Sequence, residues 1–312
     1  MKNNGHLALV CGAALMWAPV HAMAEQLRAV ASFSVLGDLA KVVGGEKVDV
    51  VTLVGPDSDA HVYEPKPDDA ASVAAANVVL INGLGFEGFI ERLAKASATK
   101  AEVVEVSKGV KIIEAEEEGE EHAAEGGTAE AGHHHDEHDP HAFQSVPNVR
   151  IYVKNIADAY CAADAGNCDV FRANAAAYDV KLVALDADIR AIVASIPPEK
   201  RAIITSHDAF GYFAEEYGLR FLAPEGISTD SEASAADVAK LIDQLRAEKA
   251  SALFVENISD PRLVDQISAE TGIKIGGVLY SDALSAAEGP AATYVDMMRY
   301  NLQTIMGAIS GS

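Results

Sequence analysis

The histidines of this chain fall into two groups that differ in their surroundings. Six of the ten lie between Glu114 and Phe143, mostly among acidic and small residues. Outside the leader and the low-complexity part of that segment stand only His61, His141 and His207. Imidazole nitrogens are common ligands of Zn²⁺ and related cations. The sequence therefore raises two hypotheses, a tight metal site built from separate histidines and a weaker one in the histidine-rich segment.

The separate histidines occupy positions where an α/β protein binds ligands. His61 follows the apolar run "VDVVTLV", His207 ends "IITSH", and His141 lies where the histidine-rich segment rejoins ordinary sequence. Open α/β sheets bind ligands beyond the carboxyl ends of their strands, so these side chains could converge. Asp282, at the end of "KIGGVLYSD", could supply a fourth ligand, with Glu256 as its rival. A histidine after a strand is nevertheless more often a surface residue, and Asp282 could simply cap a helix.

Strands alternate with helices in both halves of the chain. Alternation from Gln26 to Ser107, and again from Arg201 onward, predicts parallel sheets covered by helices. Between them, "DVFRANAAAYDVKLVALDADIRAIVAS" contains neither Gly nor Pro and predicts one long helix. We therefore predict two α/β domains joined by a long rigid linker helix, with the metal site in the cleft between them. The predicted boundaries are 25–168, 169–198 and 199–312.

The histidine-rich segment, about 114–139, interrupts the first domain. It holds almost no large apolar residue, so we expect a mobile loop. Its histidines could capture metal weakly near the cleft, and such capture weakens as the pH falls through about 6.5. A solvated spacer with incidental histidines is the alternative, and the histidine triplet is too short and too internal for a purification tag. The histidines concerned are His122, His133, His134, His135 and His138.

Composition narrows the classes of partner. At 312 residues the chain is long enough for two domains. It carries 24 Lys and Arg against 47 Asp and Glu, a formal net charge of −23. This balance argues against nucleic acid and against anionic membrane surfaces as partners, and it is compatible with a cation as ligand.

The first 24 residues have the pattern of a secretory signal peptide. Lys2 precedes an apolar run over 7–20, and "AMA" before Glu25 is a cleavage pattern. A membrane anchor is the alternative, but the run is short for spanning a bilayer. Cys11 lies too early for lipoprotein cleavage, so we expect a soluble periplasmic protein without lipid.

Two cysteines remain after the leader, Cys161 and Cys168. An even pair in an oxidising compartment predicts a local disulfide, and two buried free thiols are the alternative. Their spacing is not that of a C-x-x-C metal site.

Five motifs occur in order over nearly the whole mature chain: "DAHVYEPKPDD", "NGLGFE", "DPHAF", "SHDAFGYFAEEYGL" and "VLYSDALS". Together they resemble the zinc/manganese solute receptors of ABC importers. The resemblance implies metal held between two α/β domains, with the ligands at His61, His141, His207 and Asp282. We interpret Glu256 as a structural or supporting carboxylate, although it stays the natural rival of Asp282. The resemblance also implies an ABC permease and its ATPase as partners.

Three imidazoles and one carboxylate suit tetrahedral Zn²⁺, whereas Mn²⁺ prefers more oxygen ligands. Members of the resembled family with a histidine in the third position and a histidine-rich loop are typically zinc receptors. We therefore predict Zn²⁺ first and Mn²⁺ second, with Cu²⁺ and Ni²⁺ also bound in vitro.

The predicted function is a monomeric periplasmic receptor that delivers Zn²⁺ to the permease. A periplasmic metal chaperone is a further conceivable partner. A secreted zinc hydrolase would need an open coordination position and a general base, and the chain has neither an H-E-x-x-H nor a G-x-S-x-G motif. An adhesin or a metal buffer is the third alternative.

Overall fold

A computed structural model describes residues 26–114, 138–231, 233–248 and 250–310. The predicted signal peptide and most of the histidine-rich segment lie outside these residues. The strands are β1 (Leu27–Phe33), β2 (Val48–Val54), β3 (Val78–Ile81), β4 (Glu102–Glu105), β5 (Ala202–Ile204), β6 (Arg220–Leu222), β7 (Ala252–Glu256) and β8 (Ile275–Leu279). The α-helices are α1 (Ser34–Gly44), α2 (Pro67–Ala75), α3 (Ile90–Ser97), α4 (Val146–Ala163), α5 (Cys168–Ala194), α6 (Gly211–Tyr217), α7 (Ala235–Glu248), α8 (Arg262–Thr271) and α9 (Tyr294–Ser310).

The strands form two parallel sheets with the same topology. Their orders are β2-β1-β3-β4 and β6-β5-β7-β8. All pairings within each sheet are parallel, so the carboxyl ends of the strands meet at one edge of each sheet. The predicted fold class, two parallel-sheet α/β units with a long helix between them, is confirmed. Loops at the carboxyl edges are therefore the places where this fold can build a site.

Helix α5 packs against elements of both halves. It contacts α1 and α4 beside the first sheet and α6 and α9 beside the second. The buried side chains recur at helical spacing along one face: Phe171, Tyr178, Leu182, Leu185, Ile189 and Val193. One hydrophobic core consequently runs through both sheets, and a smaller one lies under α7 and α8. The helix begins one residue before the segment 169–198 predicted as a linker and ends four residues before its end, while the domain boundaries at 168 and 198 stay a prediction.

Cys161 and Cys168 form a disulfide at the turn between α4 and α5, as the sequence predicted. Among the described residues, no helix is both long enough and apolar enough to cross a bilayer.

Candidate metal site

The four side chains predicted as ligands lie together in one cluster. His61 is on the loop after β2, His207 lies three residues beyond the end of β5, and Asp282 lies three residues beyond the end of β8. His141 comes just before the short 3₁₀ turn that leads into α4. One ligand atom from each lies within 4.8 Å of those of the others. Each half of the chain therefore contributes two side chains to one cluster.

Several distances between these atoms are close to those between the ligands of a small tetrahedral cation. Nε2 of His61 lies 3.3 Å from Nε2 of His141 and 3.3 Å from Oδ2 of Asp282. Nε2 of His207 lies 3.2 Å from the same Oδ2, and Nε2 of His141 lies 3.5 Å from Oδ1. A tetrahedron with zinc–ligand bonds of about 2.0–2.1 Å has edges of about 3.3 Å. Oδ1 of Asp282 is buried and has no hydrogen-bond partner, as expected of an atom placed to bind a cation.

Two histidines are held by the same local device, an aspartate two residues earlier in an Asp-x-His turn. The backbone N–H of His61 donates to Oδ1 of Asp59 at 2.8 Å, and that of His141 donates to Oδ1 of Asp139 at 2.9 Å. Such Asx turns fix the backbone that carries the histidine. Sequence reasoning missed Asp139, although the repeated pattern Asp-x-His could have revealed it.

Carboxylates also face the rear nitrogens of two imidazoles. Oδ1 of Asp139 lies 2.8 Å from Nδ1 of His141. Oε2 of Glu256 lies 2.6 Å from Nδ1 of His207, although the angle falls outside that of a hydrogen bond. Oε1 of Glu256 accepts the backbone N–H groups of Ser206 and His207 at 2.8 and 2.9 Å. A proton on each Nδ1 leaves Nε2 free to bind metal, so these carboxylates favour the tautomer that a ligand needs.

The buried imidazoles and carboxylates of the site shift one another's pKa. Burial lowers the pKa of His141, but Asp282 and Asp139 outweigh it and raise this pKa to about 9. Burial is likewise outweighed at His207, whose pKa is raised well above its usual value by Glu256 and Asp282. Burial raises the pKa of Asp282, but His141 and His207 outweigh it and hold this pKa well below its usual range. Protons therefore compete with a metal for these imidazoles even at neutral pH, and metal binding must release them.

Aromatic rings close the site on the side of the first sheet. The Phe86 ring lies 4.9 Å from the His61 ring and 5.8 Å from the His141 ring, centroid to centroid, edge to face in both cases. Phe33 and Phe143 pack against Phe86, and all three phenylalanines are buried. An apolar wall lowers the local dielectric and strengthens the electrostatic attraction between a cation and its ligands.

A buried carboxylate supports the turn beneath this wall. Oε1 of Glu87 accepts hydrogen bonds from the hydroxyl of Ser32 at 2.5 Å and from the backbone N–H of Asn82 at 2.6 Å. The Asn82 side-chain amide donates in turn to the carbonyl of Pro140 at 2.9 Å, next to His141. Burial dominates over these donors and raises the pKa of Glu87 to about 7. The turn in "NGLGFE" thus connects the first sheet to the segment that carries His141.

Glu87 should make the stability of the metal-free protein depend on pH. Because its folded pKa is raised from 4.5 to about 7, its contribution is fully present below pH 4.5 and is lost as the pH rises through 7. We expect the free energy of unfolding of wild type to fall relative to that of Glu87→Gln between pH 4.5 and 8, by about 3 kcal/mol. Urea unfolding of both proteins with a chelator present measures this difference. The exposed Glu91, changed to Gln, is the control, and parallel pH profiles for Glu87→Gln and wild type would contradict the assignment.

The histidine-rich segment has one histidine among the described residues. Nδ1 of His138 lies 3.0 Å from Oε2 of Glu114, where the two ends of the segment meet as an isolated β-bridge. This pair is exposed and His138 does not belong to the four-residue cluster. The other predicted capture residues lie outside the described part of the chain: His122, His133, His134 and His135.

Comparison with known proteins shows the family to which this chain belongs. Residues 29–308 match the family described as ZnuA, zinc-uptake complex component A, periplasmic. The chain belongs to this family. Its members are metal-binding receptors of ABC importers, which work with a permease and an ATPase. The four-residue cluster is thus a candidate metal site in a chain of a metal-binding receptor family, and the predicted family is confirmed.

Relatives in this ZnuA family carry the names of several metals. The manganese-binding lipoprotein MntA of Halalkalibacterium halodurans is 32% identical over 286 residues, covering 92% of this chain and 89% of the relative. The iron ABC transporter substrate-binding lipoprotein MtsA of Streptococcus pyogenes serotype M1 is 32% identical over 290 residues, covering 91% and 89%. The periplasmic zinc-binding protein TroA of Treponema pallidum superposes with a TM-score of 0.81 at 29% identity, covering 91% and 99%. The family as a whole thus establishes metal binding without fixing which metal this chain carries.

Proposed function

We propose that this protein captures Zn²⁺ in the periplasm and delivers it to the permease and ATPase of an ABC importer for zinc uptake. The ligands are His61, His141, His207 and Asp282. The protein acts as a monomer and is exported through cleavage of residues 1–24. Zn²⁺ is its cargo, and catalysis has no part in this role.

The observation that carries the proposal is the set of ligand atoms. Three imidazoles and one carboxylate bring one possible ligand atom each within 4.8 Å of one another. Three of the contacts are 3.2–3.3 Å, and two of the imidazoles face carboxylates at Nδ1. Zn²⁺ takes nitrogen and oxygen ligands tetrahedrally, with outer carboxylates orienting the histidines. Four protein ligands also leave no open position for the water that a zinc hydrolase would activate.

Uptake in the source organism tests which metal is the cargo, since almost any site of this kind binds Zn²⁺ more tightly than Mn²⁺ in vitro. A strain lacking the gene is expected to accumulate less radioactive zinc at low external concentration, with unchanged manganese accumulation. Restoring the wild-type gene should restore zinc accumulation, whereas the His207→Ala gene should not. A loss of manganese accumulation alone would overturn the zinc proposal and leave a receptor for another metal.

Manganese is the second candidate, because both oxygens of Asp282 face imidazole nitrogens. Oδ2 lies near His61 and His207 while Oδ1 faces His141, so the carboxylate could bind a larger cation through both oxygens. Mn²⁺ accepts such higher coordination. The absorption spectrum of the Co²⁺-loaded protein separates the two geometries. Intense visible bands indicate four ligands, and weak bands indicate five or six.

The histidine-rich segment is proposed as an auxiliary site for weak metal capture. Deleting residues 116–137 should leave the affinity of the cleft unchanged, because none of the four ligands lies in that range. The total number of Zn²⁺ ions bound per chain should fall, since His122, His133, His134 and His135 are removed. Titration of both proteins, with a strong chelator reporting the tight ion, measures the two quantities separately. Loss of the tight ion on deletion would contradict this division of roles.

A further inference from the structure

The loop between β2 and α2 brings His61 to the site and also touches the second half of the chain. The two oxygens of the Asp59 carboxylate accept one hydrogen bond from each half of the chain. Its Oδ1 accepts the backbone N–H of His61 at 2.8 Å, and its Oδ2 accepts the hydroxyl of Thr229 at 2.6 Å. Asp59 and Thr229 are both half-buried, which partly shields this hydrogen bond from water. One residue thus joins the backbone of a proposed ligand to the opposite half.

The Thr229 segment is itself bonded to the strand end that carries His207. The backbone N–H of Glu225 donates to the carbonyl of Ser206 at 3.3 Å, and that of Asp208 donates to the carbonyl of Gly226 at 3.1 Å. Any displacement of this segment would therefore be passed to Ser206 and Asp208, the residues on either side of His207. The hydrogen bond from the Thr229 hydroxyl to Asp59 links this segment to the first half of the chain.

A second contact from the same loop reaches the segment that follows Asp282. Asp57 has a left-handed backbone with φ of 51°. Its N–H donates to the carbonyl of Leu284 at 2.9 Å, and its Oδ1 accepts from the side-chain amide of Asn257 at 3.0 Å. The loop is thus anchored to both segments of the second half that carry proposed ligands. The cation and this loop both bridge the halves, at neighbouring positions.

We propose that the hydrogen bond from Thr229 to Asp59 is a latch between the two halves, which positions His61 and lengthens the time for which the metal stays bound. This inference rests on the proposed metal site. Thr229 and Asp59 are positioning residues that do not touch the cation. For the cation to leave, His61 must separate from His207 and Asp282, and the latch must break with it. The latch is formed once the halves are together, so it acts on dissociation more than on association.

Thr229→Val tests the latch, because valine keeps the shape of threonine and removes the hydroxyl. We expect Zn²⁺ to dissociate from this variant about tenfold faster, the effect of losing a hydrogen bond to a charged group. The association rate should stay within about twofold of wild type. Thr229→Ser keeps the hydroxyl and should restore slow dissociation. Stopped-flow mixing of the Zn²⁺-loaded protein with excess fluorescent chelator measures the dissociation rate, and mixing of metal-free protein with Zn²⁺ measures association.

Two further variants separate the latch from a general effect on the loops. Ser228→Ala alters the neighbouring residue, whose Oγ accepts a hydrogen bond from the backbone N–H of Asp230 at 3.2 Å, and should leave the dissociation rate unchanged. In an Asp59→Ala background, Thr229→Val should have no further effect, since the acceptor is already gone.

The outcomes distinguish failure of the latch from failure of the site. An unchanged dissociation rate in Thr229→Val overturns the latch, while loss of tight binding in His207→Ala would still support the metal site. Equally fast dissociation from Thr229→Ser and Thr229→Val would also overturn it, because the hydroxyl would then not be responsible. Absence of tight Zn²⁺ binding in wild type would overturn the proposed function and the latch together.

Discussion

Replacing His207 with alanine is expected to abolish tight binding of Zn²⁺, with a loss in affinity greater than about 100-fold. Loss of an orienting partner alone costs about 10–100-fold, so loss of a ligand must cost more. The side chain is fully buried and its Nε2 lies 3.2 Å from Asp282, and the cluster found among the described residues holds no fifth His, Cys, Asp or Glu. A Zn²⁺ titration in competition with a strong chelator measures the affinity.

His138→Ala is the matched control for this substitution. His138 is a described histidine that is partly exposed and lies outside the cluster, and its removal should leave the tight ion unchanged. Circular dichroism and thermal melting of the metal-free proteins should show that His207→Ala still folds. Unchanged tight binding in His207→Ala would move the site away from the cleft and into the histidine-rich segment.

The second large effect distinguishes the two buried carboxylates. Asp282→Ala should lower Zn²⁺ affinity by more than about 100-fold, because it removes a ligand atom. Glu256→Gln should lower it by about 10–100-fold, because Glu256 acts through the orientation of His207. A glutamine side-chain N–H facing Nδ1 of His207 would donate a hydrogen bond to that nitrogen. This favours the tautomer with a proton on Nε2, which opposes metal binding.

The Co²⁺ spectrum gives this comparison a readout that general destabilisation would not reproduce. Glu256→Gln, loaded at a high Co²⁺ concentration, should keep the band shape of wild type, since the four ligand atoms are unchanged. Asp282→Ala should alter the band positions and intensity. If Glu256→Gln changed the spectrum and Asp282→Ala did not, Glu256 would be the ligand and the assignment of Asp282 would be wrong.

Much of the fold could be predicted because its signals are local. Strands β1 and β2 and helix α9 begin and end at the residues that the sequence pattern indicates, because apolar spacing and turn residues set their boundaries. The start of α3 could not be located in this way. The helical pattern suggests a start near Phe86, yet α3 begins at Ile90. Glu87 holds the backbone of Asn82 and Gly83 in a turn, and that contact depends on burial under the sheet.

The candidate site, like the fold, could be predicted from the sequence only in part. The rule that ligands bind beyond strand ends identified His61, His207 and Asp282 as candidates, and the structure brings them together with His141. Strand position alone could not separate Asp282 from Glu256, because both follow or end a strand of the same sheet, and only the family resemblance favoured Asp282. Their separate places depend on the register of β7 and β8 and on the backbone amides that Glu256 accepts. Three-dimensional packing alone supplies that information.

The hydrophobic core that α5 extends across both sheets has a consequence for unfolding. Because the buried side chains of the two halves belong to one cluster, neither half can lose its packing while the other keeps its own. The metal-free protein should therefore melt in a single cooperative transition, although it contains two sheets. The smaller cluster under α7 and α8 is separate, and the backbone amides of these helices should exchange with solvent at a lower free-energy cost than those of α5.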